Sequence, residues 1–86
     1  MHKTSSRFWK CYENLPLPIR KTAEESFKLL KENSRHPSLH FKKIGKVWSA
    51  RVGLNHRAIA VEDGDNFIWV WIGNHDEYER IIREIR

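Results

Sequence analysis

The apolar residues of this chain change their spacing at Leu39, and that change limits the folds open to it. Before it they recur every three to four residues, the period of a helix; after it they alternate, the period of a strand. Phe8, Cys11, Tyr12 and Leu15 form one helical stripe, with Ser5 or Ser6 able to cap its start and Pro16 ending it. Pro18 suits the first turn of a second helix, on which Ile19, Ala23, Phe27 and Leu30 trace one face. Asn33, Ser34 and Pro37 close it. The short Pro-containing link between the two helices predicts an antiparallel helical hairpin.

Beyond Leu39 the pattern is one of strands and turns. Leu39–Phe41 alternates briefly, and Gly45-Lys46 reads as a turn. In Val47–Gly53, Trp48, Ala50 and Val52 fall on one side and Ser49 and Arg51 on the other. Leu54-Asn55 marks a tight turn before a strand at His56–Glu62, and Gly64 supplies the positive φ of a second hairpin loop. Phe67–Ile72 is apolar on both faces, so that strand is covered on both sides or is covered on one and faces a ligand on the other. A last helix follows. Asn74 caps it, Asp76 and Glu77 sit at its positive end, and Arg80, Arg83 and Arg86 lie toward its negative end. Tyr78, Ile81, Ile82 and Ile85 form its apolar stripe. The expected fold is α+β in one domain spanning residues 1–86: an N-terminal helical hairpin packed on a three- or four-stranded antiparallel sheet, with a C-terminal helix.

A chain of 86 residues buries one modest core and leaves no room for a deep pocket, so a substrate would bind on a surface or in a shallow groove. The net charge of +5 favours an anionic partner. Its distribution is uneven: residues 1–43 hold ten Lys/Arg against four Asp/Glu, whereas residues 44–86 hold six against seven. Asn33 to Arg57 contains no acid at all. It carries Arg35, Lys42, Lys43, Lys46, Arg51 and Arg57, with His36, His40 and His56, and Phe41 and Trp48 are interleaved. That mixture suits a surface that grips phosphates and stacks bases. Six engaged cations would give a log–log salt slope of about −4 on a single strand.

Other chemistries find little support. Cys11 is alone and lies on an apolar stripe, where a cysteine acts as a small hydrophobe. There is no CxxC, HExxH or Gly-rich phosphate loop, and Pro37 interrupts the His36–His40 spacing, so neither a metal nor a small-molecule cofactor is expected. The N-terminus has no signal-peptide pattern, and the longest apolar run, Phe67–Ile72, is too short to span a membrane. The expected location is cytoplasmic.

Arg51 and Arg57 fall on adjacent strands one turn apart, a separation suited to two oxygens of one phosphate. His75 stands where the last strand hands over to the helix, and an imidazole suits proton transfer near neutral pH. Attack by an RNA 2′-OH on its own phosphate needs charge stabilisation, a proton acceptor and a proton donor to the 5′-oxygen. Arg51 and Arg57 fit the first need and His75 the last. Glu62, His56 and His40 are all open to the role of base.

Leu39–Ile44, the His56-Arg-Ala-Ile-Ala-Val61 strand and the Phe67–Tyr78 segment with its Ile72-Gly-Asn-His75 end resemble the RelE/ParE superfamily of bacterial toxin–antitoxin toxins. The similarity runs from about Arg7 to Ile82. It implies a helical hairpin against an antiparallel sheet. It also implies a toxin that either cleaves mRNA in the ribosomal A site without metal, as RelE-like members do, or poisons DNA gyrase, as ParE-like members do. A non-catalytic antitoxin-binding module is a further alternative. By motif, Arg57 matches the phosphate-stabilising arginine, Arg51 falls near a basic position of the preceding strand, and His75 falls where some members have a catalytic arginine and others a histidine. Lys42, Lys43 and Lys46 resemble residues that grip ribosomal RNA and message, with Arg35 and His56 as further RNA-binding candidates. The implied partners are a cognate antitoxin, the ribosome and mRNA. The sequence departs from the pattern in three places. No first strand is visible in Met1–Ser6, Ser49 stands where RelE-like enzymes often have a lysine, and Tyr78 follows His75 by only three residues.

Overall fold

The computed structural model describes residues 1–85, and Arg86, expected near the end of the last helix, lies outside them. The order is β1 (His2–Thr4), α1 (Ser6–Glu13), α2 (Leu17–Glu32), a 3₁₀ turn (Pro37–Leu39), β2 (Lys42–Ile44), β3 (Val47–Val52), β4 (His56–Asp63), β5 (Asn66–Asn74) and α3 (His75–Ile85). The strands form one sheet in the order β1-β5-β4-β3-β2. Pairing is antiparallel from β2 to β5, whereas β1 runs parallel to β5.

The helices form where the spacing and caps require. Ser5 accepts the Phe8 N–H at 3.2 Å and starts α1. Pro18 sits in the first turn of α2, and Asn33 terminates that helix. Asn74 Oδ1 accepts the Glu77 N–H at 2.8 Å and starts α3. Phe8 of α1, Leu15 of the link, and Ala23 and Leu30 of α2 pack onto one face of the sheet, against Ala50, Val52, Ala58, Ala60, Trp69 and Ile72. Tyr78 and Ile82 of α3 pack on the opposite face, against Val47 and Ile59. The stripe of α3 therefore finds its partner on the sheet, with Ile85 left exposed.

Both hairpins and the Gly45-Lys46 turn fall where the sequence puts them. Gly45, Gly53 and Gly64 all take a positive φ near 60°, which glycine adopts without steric cost. The expected three- or four-stranded antiparallel sheet, however, is a five-stranded mixed one. The extra strands lie at its two edges and are three residues each, too short to show a period. β1 is held by backbone bonds: Phe67 N–H donates to Met1 O at 2.8 Å and Ser5 N–H to Trp69 O at 3.1 Å. The alternation at Leu39–Phe41 also has a different origin. Leu39 is buried by the 3₁₀ turn, His40 follows in the left-handed region (φ 45°), and strand geometry begins only at Lys42.

The continuous apolar run of β5 is explained by a bulge. Ile59 pairs with Trp71 and Ala60 with Trp69, so Val70 is an extra residue on β5. Trp69 thereby joins the core under α1 and α2, while Trp71 joins the core under α3. Apolar cover lies on both faces of this strand. Among the described residues, no helix is long and apolar enough to cross a membrane.

Candidate functional site

β3 and β4 are joined by a tight turn whose register pairs Arg51 directly with Arg57, and Arg57 in turn with Gly73 of β5. Directly paired residues project to the same face, with β-carbons about 5 Å apart. The two guanidinium groups thus share the α3 face of the sheet. Arg51 Nε donates to Gly53 O at 3.1 Å, and Arg57 Nη1 donates to His56 O at 2.9 Å. Each group is steadied by one backbone carbonyl, Arg51 Nη1 also lies against His40 Nε2, and the remaining N–H groups are left to meet an anion.

His75 opens α3 at the end of β5, and its backbone N–H donates to Asn55 O at 2.8 Å. That bond ties the β3–β4 turn to the start of α3 and brings His75 beside Arg57. Together with Lys42 and His40, these residues line a groove of about 470 Å³ between the sheet and α3. The groove holds the three expected catalytic residues, Arg51, Arg57 and His75.

The three candidates for a general base separate clearly. His40 lines the groove, with Nε2 3.5 Å from Arg51 Nη1. Glu62 lies away from the groove, where it accepts the Trp48 indole N–H and pairs with Lys43 Nζ at 3.5 Å. The indole bond and then the Lys43 charge hold its carboxyl below the usual value. His56 pairs with Val52 and lines a separate cleft with Cys11 and Glu77. Burial lowers its pKa from the ordinary value, and the Glu77 charge partly opposes this.

The expected RNA-binding set also divides. Lys42 pairs with Ser49 and projects into the groove, whereas Lys43 borders it but turns its ammonium to Glu62. Lys46 sits in the β2–β3 turn outside the lining, and Arg35 lies in the turn after α2, its backbone N–H held by Asn33 Oδ1. Phe41 and Trp48 do not offer open faces for bases. They stack on each other at 4.8 Å and pack against the core under α1 and α2, on the far side of the sheet from the groove. Alternation explains this: Trp48 shares the parity of Ala50 and Val52, and the groove takes the parity of Ser49 and Arg51.

A family model described as a ParE-like toxin domain matches residues 17–80, from the start of α2 through the first half of α3. The chain belongs to the ParE-like toxin family. Solved structures agree in fold. The RelE of a RelB–RelE antitoxin–toxin complex from Methanococcus jannaschii superposes with a TM-score of 0.71 at 23% identity, covering 92% of this chain and 96% of that one. The isolated RelE toxin of E. coli gives 0.62 at 11% identity over 100% and 98% of the two chains. A YoeB/ParE toxin from Agrobacterium tumefaciens gives 0.64 at 13% identity over 86% and 96%. No curated protein sequence matches the chain.

In this ParE-like toxin two features of the groove escape a reading of the sequence. Tyr78, on the core stripe, donates its hydroxyl to Ser49 Oγ at 3.1 Å. Ser49 is 2% exposed, a polar side chain in an otherwise apolar interface, so the bond fixes the rotation of α3 on the sheet. Glu79, four residues after His75, places Oε1 3.3 Å from His75 Nε2. The i,i+4 spacing was the available signal for that pair.

Proposed function

We propose that this protein is the toxin of a toxin–antitoxin pair and acts as a ribosome-dependent, metal-independent endoribonuclease on mRNA. The observation that carries the reading is the convergence of Arg51, Arg57 and His75 in one open groove beside Lys42. Arg51 and Arg57 hold the non-bridging oxygens of the scissile phosphate and stabilise the charge of the phosphorane. His40, the base candidate that lies in the groove, takes the proton of the 2′-OH as that oxygen attacks phosphorus. The P–O5′ bond breaks, His75 protonates the leaving 5′-oxygen, and the products are a 2′,3′-cyclic phosphate and a 5′-hydroxyl. Every proton is accounted for by protein side chains.

Ribosome dependence follows from the openness of the site. A groove on the surface of a domain this small cannot fix a flexible message in line for attack, and a larger body carrying the RNA supplies that order. The antitoxin enters by analogy: the Methanococcus jannaschii and Mycobacterium tuberculosis relatives are complexes of toxin with antitoxin. The family match to a ParE-like domain favours a second reading, a gyrase inhibitor that does not cut RNA. A reconstituted translation reaction separates the two. With ribosomes present, message is cut within codons, and Arg57→Ala or His75→Ala each slows cutting by about 10²–10³-fold. Intact message together with inhibited DNA supercoiling by gyrase would overturn the nuclease reading.

A further inference from the structure

Arg57 and His75 also form one wall of a second basin, of about 510 Å³, on the other side of the groove. Its remaining lining is Leu54, Asn55, Asn74 and Asp76. The two basins differ in chemistry. To the shared wall the groove adds Lys42, Arg51 and His40 against the one carboxylate of Glu79, which faces His75, and so keeps a surplus of cations. The second basin adds two amides, an aliphatic side chain and the Asp76 carboxylate, which matches the charge of Arg57. A phosphate suits the first. The Asp76 carboxylate repels a phosphate from the second, so that basin suits the neutral, hydrogen-bonding part of the same nucleotide chain.

The lining has the parts that a base requires. Leu54 is 78% exposed at the tip of the β3–β4 turn, an apolar side chain left out of both cores, and it offers a surface to cover the flat face of a base. Asn74 uses Oδ1 to cap α3, which leaves its NH₂ as an outward donor. The His75 N–H bond to Asn55 O holds the turn and the helix start at fixed separation, so the basin is preformed. With Phe41 and Trp48 on the far side of the sheet, base recognition at the groove must come from residues such as these.

We propose that Leu54, Asn55, Asn74 and Asp76 form a nucleobase subsite for the nucleotide next to the phosphate held by Arg51 and Arg57, and that Asp76 makes this subsite prefer guanine. The proposal rests on the RNA-cleavage reading. Guanine presents two adjacent donors, N1–H and the N2 amino group, which a carboxylate accepts in a paired geometry. Adenine, cytosine and uracil offer no such pair on their Watson–Crick edges.

Binding tests this without cleavage. The whole protein is titrated, by NMR, with 2′-O-methyl trinucleotides of G, A, C and U, which cannot be cut. Guanine is expected to bind about tenfold more tightly than adenine, with perturbed backbone signals at residues 54–55 and 74–76. Asp76→Asn keeps the size of the side chain and should remove the guanine preference while leaving the affinity for the other three bases equal or higher. Asn74→Asp keeps the oxygen that caps α3 and replaces the outward donor by an acceptor, which should change the ranking of the bases. Equal binding of all four trinucleotides, or a guanine preference that survives Asp76→Asn, overturns the subsite and leaves the nuclease reading standing. Failure of every trinucleotide to bind also overturns the subsite, while the nuclease reading stands or falls on cleavage with ribosomes present.

Discussion

Arg51 and Arg57 are like charges placed directly opposite each other, an arrangement that destabilises a sheet by some tenths of a kcal/mol. One backbone carbonyl for each guanidinium offsets part of that cost, and a bound phosphate would offset the rest. The pair was legible because a tight turn between two alternating strands fixes which residues face each other. His75 was legible because Asn74 caps the helix that it opens. Which of the base candidates lies in the groove was not. It depends on His40 taking a left-handed φ of 45° after the 3₁₀ turn, and no periodicity encodes that. The geometry gives a sharp expectation for Arg57. Lysine in its place keeps the charge but loses the planar fork that meets two oxygens at once. Arg57→Lys should therefore cut message about 10–100-fold more slowly than the wild type, yet faster than Arg57→Ala. Single-turnover cleavage on programmed ribosomes measures this, and equal rates for the lysine and alanine variants would argue against paired contacts.

Among the elements, α1, α2, α3 and the β3–β5 meander could be read from spacing, caps and turn glycines. β1 could not, because His2-Lys3-Thr4 carries no apolar alternation and its stability comes from tertiary contacts. His2 accounts for much of that anchorage. Its Nδ1 accepts the Trp69 indole N–H at 3.1 Å, and its ring stacks on Phe67 with centroids 5.1 Å apart. An acceptor at Nδ1 requires the neutral ring. Burial, the N-terminal ammonium and Lys31, in that order, lower its pKa from 6.5. The unfolded chain takes up a proton near pH 6.5 and the folded chain only at lower pH. Stability is thus at its full value above pH 6.5 and is lost as the pH falls through the folded value, with His56 acting in the same sense. Thermal unfolding should show a lower Tm at pH 5 than at pH 7.5. His2→Phe, which keeps the stacking and removes the titration, should flatten part of this dependence. An unchanged slope in that variant would assign the effect elsewhere.

At the scale of the whole molecule, the sheet divides the acid-free stretch that the sequence presents as one basic surface. Strand alternation sends Arg51 and Lys42 to the α3 face and Trp48 and Lys43 to the other, and the turns carry Arg35 and Lys46 away from the groove. Charge counting along a chain cannot see this division, because neighbours in sequence are opposite in space. The consequence is quantitative. Lys43 is already matched by Glu62, which leaves Lys42, Arg51 and Arg57 as the cations directed into the groove. Each phosphate neutralised on a single strand contributes about −0.7 to the slope of log K against log salt. Three cations give a slope of about −2, half of what six would give. Titration of an uncleavable single-stranded RNA over a range of potassium chloride concentrations measures it directly. Lys42→Ala should make the slope shallower by about 0.7, and Lys46→Ala should leave it unchanged. A wild-type slope near −4, reduced by removal of Lys46 or Arg35, would mean that RNA wraps onto the turns as well as the groove.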